Sequence, residues 1–213
     1  MYLSRLQLNP AHHAARRDLA NAYELHRTLT RVFVSDEMSK PARFLWRLER
    51  GQSGQPGSTV LVQAAQPGCW SSLNDGAGYL ERLDADKQVS LNRLLRNGEP
   101  YRFRLLANPT VTRGGKRFGL RADGQRLDWL VRQGQRCGFD VLTAQCSARE
   151  RIAAQQGRSG HRIIVDSVLF DGVLRATESA ALAQGVRGGI GHAKALGLGM
   201  LSIAPMLNRH SQE

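Results

Sequence analysis

One order of elements runs twice through this chain, on either side of the turn Asn97-Gly98-Glu99-Pro100, and that repetition limits the fold more than any other feature. In the first run, "YLSRLQLN" (2–9) alternates apolar and polar residues like a half-buried strand and stops at Pro10. A helix is predicted from Ala22 to Val34, capped by Asn21, with Glu24 reaching back in the manner of a capping box. "ARFLWRLER" (42–50) and "STVLVQAAQ" (58–66) read as strands joined by the Gly/Ser/Gln loop 51–57. A weak helical stretch spans 70–82, and "KQVSLNRLL" (87–95) supplies a fourth strand.

The second run repeats that order. "YRFRLLANP" (101–109) is a strand, and "QRLDWLVRQGQRCG" (125–138) is a helix with Leu127, Leu130 and Val131 on one face. "FDVLTAQCSARE" and "HRIIVDSVLF" are strands, with Asp171-Gly172 a turn or bulge. "ESAALAQGV" (178–186) is a helix, and "GMLSIAPM" (199–206) closes the unit. Two β-α-β-β-α-β units in an α+β chain describe two ferredoxin-like domains in tandem, 1–97 and 98–213. At 213 residues, each would be large enough for a core of its own.

Charge bounds the partners. Lys plus Arg is 30 and Asp plus Glu is 18, a formal net charge of +12 that favours a polyphosphate. Only Lys40, Lys87, Lys116 and Lys194 are lysines, so arginine, with its flat fork of donors, supplies nearly all the positive charge. No apolar run approaches a membrane span, and the first residues lack the apolar centre of a secretory signal, so a cytoplasmic protein without a membrane partner is expected. Cys69, Cys137 and Cys146 are odd in number and widely spaced, supporting neither a disulfide framework nor a zinc site and reading as small buried side chains. No ligand cluster for a catalytic metal is found, and no cofactor is expected.

Four stretches can carry chemistry. "GVRGGIGHAKALGLGMLSIAP" (185–205) has six glycines between Gly185 and Gly199, yet it completes neither G-x-x-x-x-G-K-[ST] nor G-x-G-x-x-G, so a nucleotide-dependent enzyme is set aside. Two readings stay open for it. Its backbone N–H groups can line an anion beside Arg187, His192 and Lys194, or the segment is a sharp connection packed on its own sheet. In Tyr101-Arg102-Phe103-Arg104, a strand puts Arg102 and Arg104 on the face opposite the aromatics, and Arg113, Lys116, Arg117 and Arg121 extend the basic track in the following loop. "QQGRSGHR" (155–162) places Arg158 at the tip of a glycine-flanked hairpin. The fourth stretch is the first helix, "NAYELHRTLTRVF". Leu25, Leu29 and Val32 form its buried stripe, Tyr23 and His26 are neighbours on one flank, and Arg27 and Arg31 continue toward solvent. Histidine titrates near neutral pH and can give or take a proton there. A lone helical histidine is more often structural, and His12 and His13, in a loop beside Arg16 and Arg17, can instead contact phosphate.

"MYLSRLQLNP", "RRDLANAYELHRTL", "YRFRLLANPTVT", "VLFDGVLRAT" and the closing glycine segment together resemble the CasE-type CRISPR-associated endoribonucleases, the repeat-processing subunits of subtype I-E Cascade complexes. The resemblance runs from Met1 to about Met206 and implies two ferredoxin-like domains. It implies binding to the CRISPR repeat hairpin, association with other Cascade subunits, and metal-independent cleavage at the 3′ base of the stem by 2′-hydroxyl attack. The products would be a 2′,3′-cyclic phosphate and a 5′-hydroxyl. His26 matches the family's catalytic histidine and Tyr23 the tyrosine beside it. RNA is expected along Arg27, Arg31, Arg102, Arg104, Arg113, Lys116, Arg117, Arg158, Arg187, Gly189, Gly191, His192 and Lys194, with the bare backbone of the glycine segment against the RNA chain. The alternative is a structured-RNA-binding subunit of a ribonucleoprotein in which His26 is inert.

Overall fold

The computed structural model describes residues 1–34, 41–49, 51, 58–73, 78–155, 160 and 162–206. Strand β1 (Tyr2–Leu8) leads into helices α1 (His13–Ala20) and α2 (Ala22–Val32), then strands β2 (Phe44–Leu48), β3 (Thr59–Ala64) and β4 (Leu80–Gln88) and the short helix α3 (Leu91–Leu94). Strand β5 (Pro100–Ala107) opens the second unit, followed by the hairpin β6 (Thr110–Arg113) and β7 (Lys116–Gly119) and by helix α4 (Asp123–Arg136). The long strands β8 (Phe139–Gln155) and β9 (Arg162–Ala176), helix α5 (Ser179–Gly188) and strand β10 (Leu201–Pro205) complete it.

The first sheet has the order β2-β3-β1-β4 and the second β10-β5-β9-β8, with every neighbouring pair antiparallel. In each, the unit's first and third strands pair at the centre and its second and fourth lie at the edges, the ferredoxin-like arrangement. Alternation places the cores as expected. Tyr101, Phe103 and Leu105 are buried on β5, whereas Arg102 and Arg104 are exposed. The α2 stripe of Leu25, Leu29 and Val32 is buried against the first sheet, each residue contributing about 1.5–3 kcal/mol of apolar burial. Among the described residues no helix is long and apolar enough to cross a membrane.

The structure departs from the sequence reading where the chain carries no local period. The stretch holding His12 and His13 is not a loop: His13 opens α1, and His12 stands at its N-cap. That helix has no apolar stripe and is held by tertiary contacts, since the buried Asp18 carboxylate accepts from the Tyr79 hydroxyl at 2.9 Å and from Arg17. Glu24 does not close a capping box; it accepts from Arg27 at 2.6 Å. The predicted helix over 70–82 is only a 3-10 turn, Trp70–Leu73, and the fourth strand is 80–88 rather than 87–95. Leu91 and Leu95, expected in that strand, instead pack into the core of the second unit. On α4 the buried face carries Arg126, Trp129 and Leu130, and Val131 faces solvent. Asp171-Gly172 lies within β9, and the irregularities are on the partner strand β8, between Val141 and Thr143 and between Cys146 and Ala148. Arg113, Lys116 and Arg117 stand on the β6–β7 hairpin rather than in a loop. Cys69 is exposed and Cys137 and Cys146 are half-buried, so the three are not uniformly core residues.

Candidate functional site

Helix α2 starts where the sequence places it because Asn21 is extended and its side-chain oxygen accepts from the Tyr23 amide at 3.1 Å. The same side chain reaches across to the other unit. Its Nδ2 donates to the Gln155 carbonyl at 2.8 Å, and the Gln155 amide donates back to Oδ1 at 3.2 Å. The N-cap of α2 is thereby tied to the end of β8, next to the hairpin tip. The tip itself, with Arg158, lies outside the described residues.

Tyr23 and His26 sit half-buried on one flank of α2, one turn apart. Tyr23 packs against a small cluster of the second unit that includes Leu196 and Leu198. His26 stacks on Phe44 with ring centroids 5.1 Å apart, and its Nδ1 accepts from the Trp46 indole N–H at 3.3 Å. Its Nε2 has no partner among the described residues and is not buried. Burial holds the imidazole pKa below the usual histidine value, favouring the neutral ring.

The side chains that come close to the glycine segment are the protein's own. Strand β2 is an edge of the first sheet, and the segment wraps around it. At Gly189 (φ +70°) a Cβ would stand 2.9 Å from Leu45, on one face of β2. At Gly197 (φ +79°) it would stand 2.7 Å from the Trp46 ring, on the other. Gly191 lies against Trp129. The backbone amides also turn inward: Gly189 donates to Gly185, Ile190 to Gly199, Gly197 to Lys194 and Gly199 to Leu106. These four amides are engaged within the protein, and the segment packs over a sheet edge.

Two buried polar bridges fasten the units at the same seam. The Arg47 guanidinium, 3% exposed, donates through Nε and Nη2 to Oε1 of Glu49 and through Nη1 to the Met200 carbonyl at 3.2 Å, and Gln63 donates to the Val186 carbonyl at 2.7 Å. Burial lowers the Arg47 pKa against the support of Glu49, and the residue remains a cation.

The expected basic track divides. Arg31, Arg102, Arg113, Lys116, Arg117, Arg187 and His192 are exposed. Lys194 is half-buried in the 3-10 turn Lys194–Leu196, which packs on α2; burial and the charge of Arg43 lower its pKa. Burial, Arg117 and Lys194 lower the His192 pKa, which gathers the β6–β7 hairpin and the glycine segment into one positive region. Arg27 is exposed but bound to Glu24, and Arg104 is shared between Asp171 at 2.7 Å and Glu49 at 3.4 Å. The structure adds residues that sequence reasoning missed. A cleft of about 490 Å³ joins His192 to Arg132 and Arg136 of α4, and Arg43 donates to the Gly188 carbonyl at 3.1 Å. On the sequence these are ordinary helix-surface and strand-entry arginines with no distinguishing signal. A separate cleft of about 610 Å³ between the units is lined by Asp18, Glu49, Glu150 and Arg151 and includes neither Tyr23 nor His26. Among the described residues no group of three or more His, Cys, Asp or Glu side chains gathers as a metal site.

A family model described as CRISPR associated protein matches residues 1–205. The CRISPR-associated endoribonuclease Cse3 of Thermus thermophilus is 36% identical over 217 residues, taking in 96% of this chain and 100% of that protein. The CRISPR system Cascade subunit CasE of Escherichia coli K12 is 29% identical over 219 residues, with 97% and 100% covered. The solved structure of Thermus thermophilus Cse3 bound to an RNA representing a pre-cleavage complex matches with a TM-score of 0.82 at 35% identity, covering 96% of this chain and 98% of that one.

Proposed function

This chain belongs to the family of CRISPR-associated proteins, and from that membership we propose that it is an endoribonuclease that binds the stem-loop of CRISPR repeat RNA and cuts at the 3′ base of the stem. One observation carries the reading to particular atoms: Tyr23 and His26 share a flank of α2, the helix on which the Lys194–Leu196 turn packs, and His26 keeps Nε2 open. The upstream 2′-hydroxyl attacks the scissile phosphate, the P–O5′ bond breaks, and the products are a 2′,3′-cyclic phosphate and a 5′-hydroxyl. One proton leaves the 2′-oxygen and one arrives at the 5′-oxygen, and His26 and Tyr23 are the groups placed to move or orient them. Lys194, with Arg187, His192 and Arg117 around it, offsets the charge that builds on the phosphorane. The nucleophile belongs to the RNA, so the mechanism asks for no metal.

The exposed arginines hold the A-form stem through its backbone and shape, and Arg158, outside the described residues, is expected to join them. Other Cascade subunits are the expected protein partners, as the name of the Escherichia coli relative indicates for that protein, and the cytoplasm is the expected compartment. The two domains divide at 97/98. Support comes from the sheets, which share no strand, the first ending at Gln88 and the second beginning at Pro100.

The test is His26→Ala, assayed on a repeat hairpin in excess EDTA. The parent is expected to cleave under those conditions. The variant is expected to stay folded, with a lower melting temperature from the unpaired Trp46 N–H, to bind nearly as well as the parent and to cleave ~10²–10⁴-fold more slowly, the usual contribution of one placed proton-transfer group. A variant that cleaves at the parental rate would return the chain to the RNA-binding-subunit reading.

A further inference from the structure

His26 is held from behind. The indole N–H of Trp46 can only donate, and it donates to Nδ1 of His26 at 3.3 Å. A ring nitrogen that accepts a hydrogen bond carries no proton, so the neutral ring must carry its proton on Nε2, the nitrogen without a partner among the described residues. The imidazolium form needs a proton on both nitrogens, which would set one N–H against another. Trp46 cannot readily turn away. It is 2% exposed, its ring is closely approached by Gly197 on the glycine segment, and Phe44, from the same strand, stacks on the imidazole.

We propose that Trp46 is a positioning residue for His26: its N–H occupies Nδ1, directs the proton of the neutral ring to Nε2, and keeps the ring neutral until a phosphate lies against it. This rests on the reading of His26 as the proton-moving group. A phosphate oxygen at Nε2 favours the charged ring and works against the Trp46 N–H, so protonation becomes coupled to the arrival of RNA. The free enzyme then carries a histidine that is set for RNA and is not charged without it. The glycine segment enters the chemistry through this contact, because the missing side chain at Gly197 leaves the space that Trp46 fills.

Other charges on the packed elements are engaged elsewhere. Asp18 and Arg17 of α1 pair with each other, Glu24 of α2 with Arg27, and Arg47 of β2 with Glu49. On β8, Arg149 pairs with Asp123 and Arg151 with Asp166, and Glu150 stands between them. Tyr23 and Arg31 lie on α2 itself, Lys194 lies in the turn packed on it, and Cys69 precedes the Trp70–Leu73 turn. Burial is the cause that lowers the His26 pKa, in the same direction as the Trp46 bond.

The tautomer can be read directly by two-bond ¹⁵N–¹H correlation spectra of the imidazoles in the whole protein. Neutral His26 should show the proton on Nε2, and its pKa should rise when a repeat hairpin with a 2′-deoxy sugar at the cut is added. Trp46→Phe keeps an aromatic ring and removes the N–H. It should move the His26-controlled limb of the single-turnover pH–rate profile upward by roughly half to one pH unit, with hairpin affinity unchanged. A proton on Nδ1 in the parent protein would overturn the inference even if Trp46→Phe failed to fold. An unmoved profile in a folded Trp46→Phe protein would overturn it as well. Parental cleavage by His26→Ala would instead overturn the assignment of His26 to catalysis and leave the tautomer as measured.

Discussion

The two ferredoxin-like units share a strand order and differ in what they place around it. The first keeps a full helix layer only after β1, in α1 and α2; its second helix is reduced to the turn Trp70–Leu73. Aromatic contacts fill that corner, with Phe33 stacked on Phe44 at 4.8 Å and edge-on to Trp70 at 5.8 Å. The second unit keeps both helices, α4 and α5, and departs from regularity in its connections: a basic hairpin after β5, the long β8–β9 arm and the glycine segment before β10. One unit therefore supplies a half-buried histidine held by Trp46, and the other supplies the extended surfaces around that corner. Neither makes the site alone. Gly197 of the second unit seats Trp46 of the first, and Asn21 of the first unit holds the end of the β8 arm of the second. Under the proposed function, one half of the repeated topology holds the catalytic histidine and the other holds what surrounds it.

The sharpest way to break this comparison is at Gly197. Alanine there meets the Trp46 ring at 2.7 Å in a backbone conformation that L side chains rarely adopt. Left-handed strain and overpacking together should cost about 2–4 kcal/mol. Thermal melting should show that loss, and cleavage should fall beyond what the remaining folded fraction explains, since Trp46 is displaced. Gly188→Ala, with nothing within 4 Å of its added carbon, is the companion that should change stability by no more than about 0.5 kcal/mol. Equal melting points for the two variants would mean that the segment is not the support for β2 described above.

A smaller effect is expected at the second bridge. Asn21→Asp keeps an oxygen for the Tyr23 and Gln155 amides and removes the N–H that donates to the Gln155 carbonyl, so the cap survives and the tie to the arm is weakened by a carboxylate oxygen set against that carbonyl. Hairpin affinity should fall several-fold at an unchanged melting temperature, whereas Asn21→Ala should also lose about 1 kcal/mol for the cap. If binding titrations place Asn21→Asp level with the parent, the arm is held without this contact.

The smallest effect compares two arginines of one strand. Arg102 and Arg104 share the exposed face of β5, but Arg104 is already held by Asp171 and Glu49, and Arg102 has no carboxylate partner among the described residues. Arg102→Ala should lower the slope of log affinity against log salt by somewhat under one unit, as expected for one lost phosphate contact, and Arg104→Ala should lower it less. The reverse order would place RNA on Arg104 and imply that its ion pairs open on binding.

What the sequence determined by itself is whatever one-sided burial imprints on neighbouring residues. Leu25, Leu29 and Val32 mark the inner face of α2 at helical spacing, and the same spacing sets Tyr23 beside His26. Tyr101, Phe103 and Leu105 mark β5 at a period of two, and the duplicated element order and the net charge of +12 need no structure to be read. Helix α1 and strand β4 lack that imprint. The first is fastened by Asp18 to Tyr79, and the second by main-chain pairing to β1, so only the tertiary structure assigns them. The glycines were legible as places where something comes close, but not as places where Leu45 and Trp46 do. Those partners are more than 140 residues away along the chain, and a contact at that separation leaves no local period. Which nitrogen of His26 is left open was decided in the same way, by a strand whose place beside α2 follows from the folded sheet and not from its neighbours in sequence.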